Sequence, residues 1–440
     1  MHYLFKTRYP KYNMSVAHLP IVFKNITLVD VLSASPLLKT GLRIDAHGFI
    51  SDVSEKTIPQ KGDTIIEAEG IYASMGWCDV GCLHGDPGFE YREDLNSLTE
   101  AAARGGFTAL SPFPNTTPTI QTKTDILYLK AHARKSGVNI YPIGAVTTDI
   151  NGRDFTEMMD MHEFGAVAFS DGTHSIKNSG VMMRALQYVK SFGGLIINTP
   201  LNADLAQGGS VHEGIMSVSL GLTGIPTLAE TLALSRDIQL LEYADSRMHV
   251  FGISSEESVK IIQQAQEKKL NLTASTSVWH LNFTDAQVSG FDTHYKLMPP
   301  LRSETDKSAL IAAVVDGTIQ FLNSLHTPMD SDNKDTEFLE AEFGNISLQT
   351  AFALGYRALK DVLSLPDYVA LWSTAPRKVL QIQAPKIAVG EKAEITFFSL
   401  ETFIFNKEDI VSKSHNTPLI GESFDVKVIG TCNGSKLRIS

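Results

Sequence analysis

Between about Met75 and Leu371, short apolar runs alternate with amphipathic segments of helical length, and this alternation limits the possible folds more than any other feature. "FTALSPF" and "NIYPIGAV" have the length and apolar content of buried strands, whereas "DLNSLTEAAARGG" and "MMRALQYVKSFGG" carry an apolar stripe at helical spacing. Repeated strand–helix units place consecutive strands parallel, which leaves a closed barrel or an open wound sheet. With 440 residues there is room for a barrel of roughly 250 residues and a smaller companion. The ends read differently. "IVFKNITLVDVL", "LRIDAHGFISDV" and "DTIIEAEGIYAS" before Ala73, and "EKAEITFFS" and "SFDVKVIG" after Ala375, are β-like runs broken by turns. The expected organisation is an α/β domain over 74–375, barrel or wound sheet, and one small β domain built from 19–73 together with 376–440. Residues 1–18 are expected to form a flexible arm, with translation starting at Met1 or Met14. The polar run Met329–Phe338, "MDSDNKDTEF", reads as a mobile loop.

A net charge of −11 argues against nucleic acid or an anionic membrane as partner, because both reward clustered positive charge. No apolar run approaches the roughly 20 residues needed to cross a bilayer. The first twenty residues, "MHYLFKTRYPKYNMSVAHLP", lack the apolar core of a signal peptide. Three cysteines do not make a disulfide framework, and Cys78 and Cys82 lack Cys-x-x-Cys spacing, so a cytoplasmic protein is expected.

The stretch "DVGCLHGDPGFEYREDLNSLTEAAARGGFTALSPFPNTTP" resembles the first barrel strand, helix and second strand of the dihydroorotases, members of the amidohydrolase superfamily. "FGAVAFSDG", "LAQGGSVHEG", "LGLTGIPTLAE", "MPPLRSETDKSALIAAVVDGTI", "STAPRKVLQI" and "IAVGEKAEITFFS" continue the resemblance in the family's order, so that it spans nearly all of Phe23–Ser399. It implies a TIM (β/α)8 barrel with a β domain formed from both chain ends, a place in pyrimidine biosynthesis, and hydrolysis of a cyclic amide at a dinuclear metal centre.

Set against the family's Asp-x-His-x-His-x-Arg-x-Pro-Gly, Asp79 and Pro87-Gly88 match, but Gly81 and Leu83 stand at the histidines and Gly85 at the substrate-gripping arginine. Asp171 of "FSDG" matches the bridging acid of the fourth strand. Thr199 stands where the fifth-strand histidine is expected. In the sixth strand "HIAH" becomes "HVFG", leaving His249 off the ligand place and Gly252 on it. In the eighth, "TDHAPH" becomes "SLHTPM", with Leu325 at the catalytic aspartate and Met329 at a substrate histidine. Met298 replaces the asparagine of "NPPLR", while Asn115 of "PNTTP" survives, and His326 is a second candidate remnant of the substrate pocket.

Zinc takes about four His, Cys, Asp or Glu ligands at roughly 2.0–2.3 Å. Of the family's ligand positions, only Asp171 keeps such a side chain, so no metal cofactor is expected. A set shifted by one residue (Cys82, His84, Asp86) points to the other face of a strand. His249 and His280 are expected to pack, and His174 and His212 are loop residues without an evident partner. Leu83, Leu325 and Met329 are expected to fill the vacated cavity. The resulting expectation is a pseudoenzyme with no catalytic residue. Family members without the metal site assemble with aspartate carbamoyltransferase, and that enzyme or a homo-oligomer is the partner the resemblance implies. Two alternatives stay open at this stage: an active, divergent dihydroorotase or related amidohydrolase with a rearranged zinc site, and a small-molecule sensor using the remodelled mouth.

Overall fold

The computed structural model describes residues 18–439. The arm expected over 1–18 lies, apart from His18, outside the described residues.

Eight parallel strand positions make the barrel: Trp77–Val80, Phe107–Ser111, a third interrupted strand (Asn139–Ile140 and Ile143–Gly144), Ala168–Phe169, Ile196–Asn198, Met248–Val250, Leu272–Ser277 and Phe321–Asn323. The last meets the first where Leu83 N–H donates to His326 O (2.9 Å) and the Asp79 carboxylate accepts from Ser324 N–H (2.8 Å) and Ser324 Oγ (2.7 Å). The first helix, Leu95–Arg104, shows how local sequence sets each unit. Asp94 caps it by accepting from Asn96 N–H and Ser97 N–H, both at 2.8 Å, a contact that typically contributes about 1 kcal/mol. Leu95, Leu98, Ala101 and Ala102 then turn inward at helical spacing.

The chain ends share one sheet. Ile71–Met75 pairs antiparallel with Glu394–Ser399 and parallel with Ile21–Val29, and Lys427–Asn433 and Lys436–Ile439 extend the edge. Under the barrel, Trp77 stacks on Phe352 at 3.6 Å, and Arg377 donates to Gly76 O (2.6 Å) and Ser373 O (2.8 Å). Its other nitrogen meets Glu394, whose carboxylate also accepts from Thr108 and Asn139, so one acid ties sheet to barrel.

Two segments depart from their sequence reading. Met329–Phe338 is pinned rather than loose: Asp330 caps the turn Ser331–Asn333, and the buried Lys334 ammonium donates to Thr293 O (2.6 Å) and Glu342 O (2.9 Å). Its polarity is used inside the protein, a case composition does not separate from solvation. The C-terminal region also leaves the sheet between Ser399 and Lys427. There Ser414 Oγ donates to Arg92 O, and Asn416 Nδ2 donates to Thr327 O and Gly344 O, so this stretch straps the loops that follow the first and eighth strands.

Candidate active site

The carboxyl ends of barrel strands carry the active sites of this architecture, and here Gly81, Asp171, Thr199, Gly252 and Leu325 stand there. Gly81 has φ +86°, and a Cβ added to it would lie 2.3 Å from Phe251 Cε2 and 3.1 Å from Phe113 Cε2. The two rings pack edge to face, centroids 4.8 Å apart. The volume a side chain at position 81 would need is therefore filled by the Phe251 ring, just beyond the sixth strand. Phe251 is the residue sequence reading missed. Its signal was present in "HVFG", where the resemblance sets a large side chain against an alanine, next to Gly252. The expected filling by Leu83, Leu325 and Met329 is only partly what occurs. Leu325 is buried and Leu83 packs against the core, but Met329 sits half-buried in the loop beyond, its N–H donating to Asn416 Oδ1 at 3.2 Å.

Leu325 has φ +54°, a backbone region that suits aspartate or asparagine better than leucine. Gly85 closes a turn with Phe89, and a Cβ on it would fall 2.0 Å from Phe89 O, so this turn has no room for a side chain. Gly252 also has positive φ, with only Pro299 Cδ near its missing Cβ, at 3.9 Å. Met298 is half-buried before Pro299.

The surviving polar groups are engaged with the protein. Asp171 Oδ1 accepts from Val146 N–H (3.1 Å) and Thr147 N–H (2.9 Å), and Oδ2 accepts from Thr147 Oγ1 (2.6 Å). Burial raises its carboxyl above the usual range against those bonds. Burial likewise pushes Asp79 up to about 7 despite its bonds to Ser324. Thr199 Oγ1 donates to Gly172 O at 2.9 Å. Asn115 Nδ2 reaches Asp171 O and Thr173 Oγ1, both at 3.3 Å, so Asn115 and Asp171 adjoin without sharing a ligand space.

The histidines scatter. His249 is buried between Thr273 Oγ1 (2.9 Å) and Ser275 Oγ (3.0 Å) and stacks on Phe321; burial holds it down at about 3. His280 bridges Ser277 Oγ (2.7 Å) and the carbonyls of Pro299 and Pro300 (both 3.2 Å). His212 Nδ1 accepts from Arg302, and His174 is exposed next to Asn115. His326 was expected at the mouth as a pocket remnant, but it is buried. Its Nδ1 accepts from Ser347 N–H (3.1 Å), and its Nε2 lies 3.6 Å from Glu93, which also binds Ser412 of the strap. The strap and the loop after the eighth strand draw this ring inward. His84 is buried with both ring nitrogens lacking a protein partner among the described residues, and burial lowers it to about 4. Cys82 is also buried and its thiol is raised well above its ordinary value, while Asp86 accepts from Tyr128 Oη at 2.7 Å. Cys78, Cys82 and Cys432 are free thiols.

A second group missed in the sequence is a buried polar knot. Glu230 Oε1 accepts from Ser254 N–H (3.0 Å), Ser255 Oγ (3.1 Å) and Ser258 Oγ (2.6 Å), and Arg302 Nη2 lies 3.6 Å from its Oε2. Arg302 also donates to Ser254 Oγ and Ile225 O. "TLAE" and "MPPLR" carry these residues, and the knot fixes the loops after the fifth, sixth and seventh strands relative to one another. Among the described residues, no three His, Cys, Asp or Glu side chains gather closely enough to hold a metal ion.

A family model described as dihydro-orotase-like matches residues 79–258. Dihydroorotase from Geobacter metallireducens is 36% identical over 378 residues, covering 85% of this chain and 89% of its own. Dihydroorotase from Ruminiclostridium cellulolyticum is 35% identical, covering 91% and 94%, and that from Pelotomaculum thermopropionicum 38%, covering 82% and 85%. Among solved structures, L-hydantoinase (dihydropyrimidinase) from Arthrobacter aurescens superposes with a TM-score of 0.82 at 21% identity, covering 95% of each chain. Dihydropyrimidinase from Brevibacillus agri gives 0.78 at 20%, covering 95% of this chain and 94% of its own. These structural likenesses show the fold, a TIM barrel. No helix among the described residues is long and apolar enough to cross a membrane. With more than a third of its residues identical across most of its length, the chain belongs to the dihydroorotase-like family of the amidohydrolase superfamily.

Proposed function

We propose that this chain is a non-catalytic dihydroorotase-like protein that serves as a scaffold for aspartate carbamoyltransferase. The observation that carries the reading is the ring of Phe251 lying where a side chain at position 81 would have to stand. A dinuclear hydrolase works by lowering the pKa of a bridging water and polarising the scissile carbonyl. The donor set here does not fit a pair of metal ions: glycine, leucine and threonine replace imidazole, and both oxygens of Asp171 already accept hydrogen bonds from the protein. The substrate grip is reduced in parallel, because the turn at Gly85 has no room for an arginine. A buried substrate carboxylate without charge-assisted bonds is costly.

An uncovered apolar surface supports the scaffold role. Ile215 and Val218, one helical turn apart, are 87% and 81% exposed, and Leu228 and Leu232 repeat the pattern on the next helix. Such side chains favour burial at about 25 cal/mol per Å² of apolar surface. The expected result with purified, co-expressed carbamoyltransferase is a complex in sedimentation velocity and no dihydroorotate turnover above the no-protein rate. The double variant Ile215→Lys/Val218→Lys is expected to abolish the complex while leaving the circular-dichroism spectrum intact. Turnover by the chain alone, or failure of the wild type to associate, would count against the proposal.

A further inference from the structure

Far from the strand ends that carry the candidate site, a cleft of about 460 Å³ separates the barrel from the β sheet. Lys130 and Arg134, near the end of the helix Lys123–Ser136, face Lys392 and Lys436 from the sheet, with His47 at the rim and Tyr141 in the wall. No aspartate or glutamate lines it, and none of the four cations forms an ion pair among the described residues. In a chain of net charge −11, four uncompensated positive side chains around one concavity form a local field opposite in sign to the whole.

The lysine stems are also placed. A Cβ built on Gly434 would fall 2.3 Å from Lys392 Cε, and one on Gly137 would fall 2.8 Å from Lys436 Cβ. Each stem therefore lies across a backbone that has no side chain to push it away. Lys130 Nζ donates to Phe164 O at 3.2 Å, which fixes its position and leaves further donors free. Holding long cationic side chains in place before a ligand arrives removes part of the ordering cost of binding. The helix ending at Ser136 turns its carbonyl end, a partial negative charge, toward this region. Arg134 in the last turn offsets that charge, which leaves the three lysines for a ligand.

We propose that this cleft binds the di- or triphosphate group of a small molecule. Three lysines exceed what one carboxylate or a single phosphate requires, and they match a phosphate chain. The volume lies within the 300–1,000 Å³ usual for small-ligand sites. Half-buried Tyr141 lines the same cleft, an aromatic side chain that suits a nucleoside carrying that chain. Nothing in the cleft requires the barrel mouth to be active, so the inference stands apart from the scaffold reading.

The test is calorimetric titration of the full chain at about 0.15 M salt, where exposed charges farther apart than about 8 Å are largely screened. The titrants are ATP and inorganic tripolyphosphate. Saturable binding at one site per chain is expected, and the double variant Lys392→Gln/Lys436→Gln is expected to weaken it roughly tenfold or more, because it removes two charge-assisted contacts. The variant Lys268→Gln, which changes a lysine paired with Glu242 elsewhere on the surface, is expected to bind as wild type does. If Tyr141→Ala weakens ATP but not tripolyphosphate, the ligand is a nucleotide; equal affinities unaffected by that change identify the phosphate chain alone. Both results support the site. All three substituted lysines are at the surface, and circular dichroism checks the fold. No heat with either titrant, equal weakening by Lys268→Gln, or tighter binding of a single-stranded oligonucleotide than of ATP would each overturn the proposal.

Discussion

Replacing Gly81 with alanine is expected to destabilise the folded chain by roughly 2–5 kcal/mol, the sum of a left-handed backbone cost of about 1–2 and an overpacking cost of about 1–3. The first arises because φ at Gly81 is +86°, and the second because the new Cβ would meet Phe251 at 2.3 Å. The converse change, Phe251→Ala, is expected to cost about 3–5 kcal/mol by opening a cavity beside Phe113. If the ring occupies the place of the missing side chain, the two effects will not add. In Gly81→Ala/Phe251→Ala the methyl group has room, and the coupling is expected to be about 1–3 kcal/mol. Urea unfolding of the four proteins measures this cycle. Strict additivity would mean that the ring does not fill that space. The cycle also bears on repair: a histidine returned to position 81 with Phe251 in place meets the ring before it meets a metal.

The second large effect is expected at the Glu230 knot. Glu230→Ala removes the acceptor for three serines and leaves the Arg302 guanidinium buried with its carboxylate gone. Breaking a buried pair by removing one partner typically costs 3–5 kcal/mol, and a loss of about that size is expected in chemical denaturation. Glu230→Gln keeps the shape and one acceptor, so its cost is expected to be smaller, about 1–3 kcal/mol. In Glu230→Ala/Arg302→Met part of the loss is expected to return, because the unpaired charge is removed with its partner. If Arg302→Met made no difference in the Glu230→Ala background, the stranded charge would not be the source of the cost. The knot lies close to the mouth, yet its role is to join the loops of three strands. Glu230 of "TLAE" and Arg302 of "MPPLR" make that join.

How far the sequence could be read depended on the range over which each feature acts. Strand–helix alternation between Met75 and Leu371 is a local pattern that leaves a barrel or a wound sheet, and the resemblance selected the barrel. The resemblance of the segments around Asp79, Asp171 and Pro299 placed the strand ends in order along the chain. Phe251 was passed over because its significance depends on the sixth strand bringing it beside Gly81, an adjacency that no spacing along the chain expresses. His326 was misplaced for a similar reason: the strap through Ser412 and Asn416 and the loop through Ser347 bury it, and those segments lie up to 90 residues away. In Met329–Phe338, lysine and aspartate suggested solvent, whereas backbone carbonyls of Thr293 and Glu342 hold Lys334 inside.

The most direct test of the remodelled mouth is the metal content of protein purified without chelator, equilibrated with zinc, desalted and measured by inductively coupled plasma mass spectrometry. Dihydroorotate turnover is assayed in the same sample. The expected result is far less than one zinc ion per chain and no turnover. Two zinc ions retained per chain, with turnover that disappears when they are removed, would contradict it.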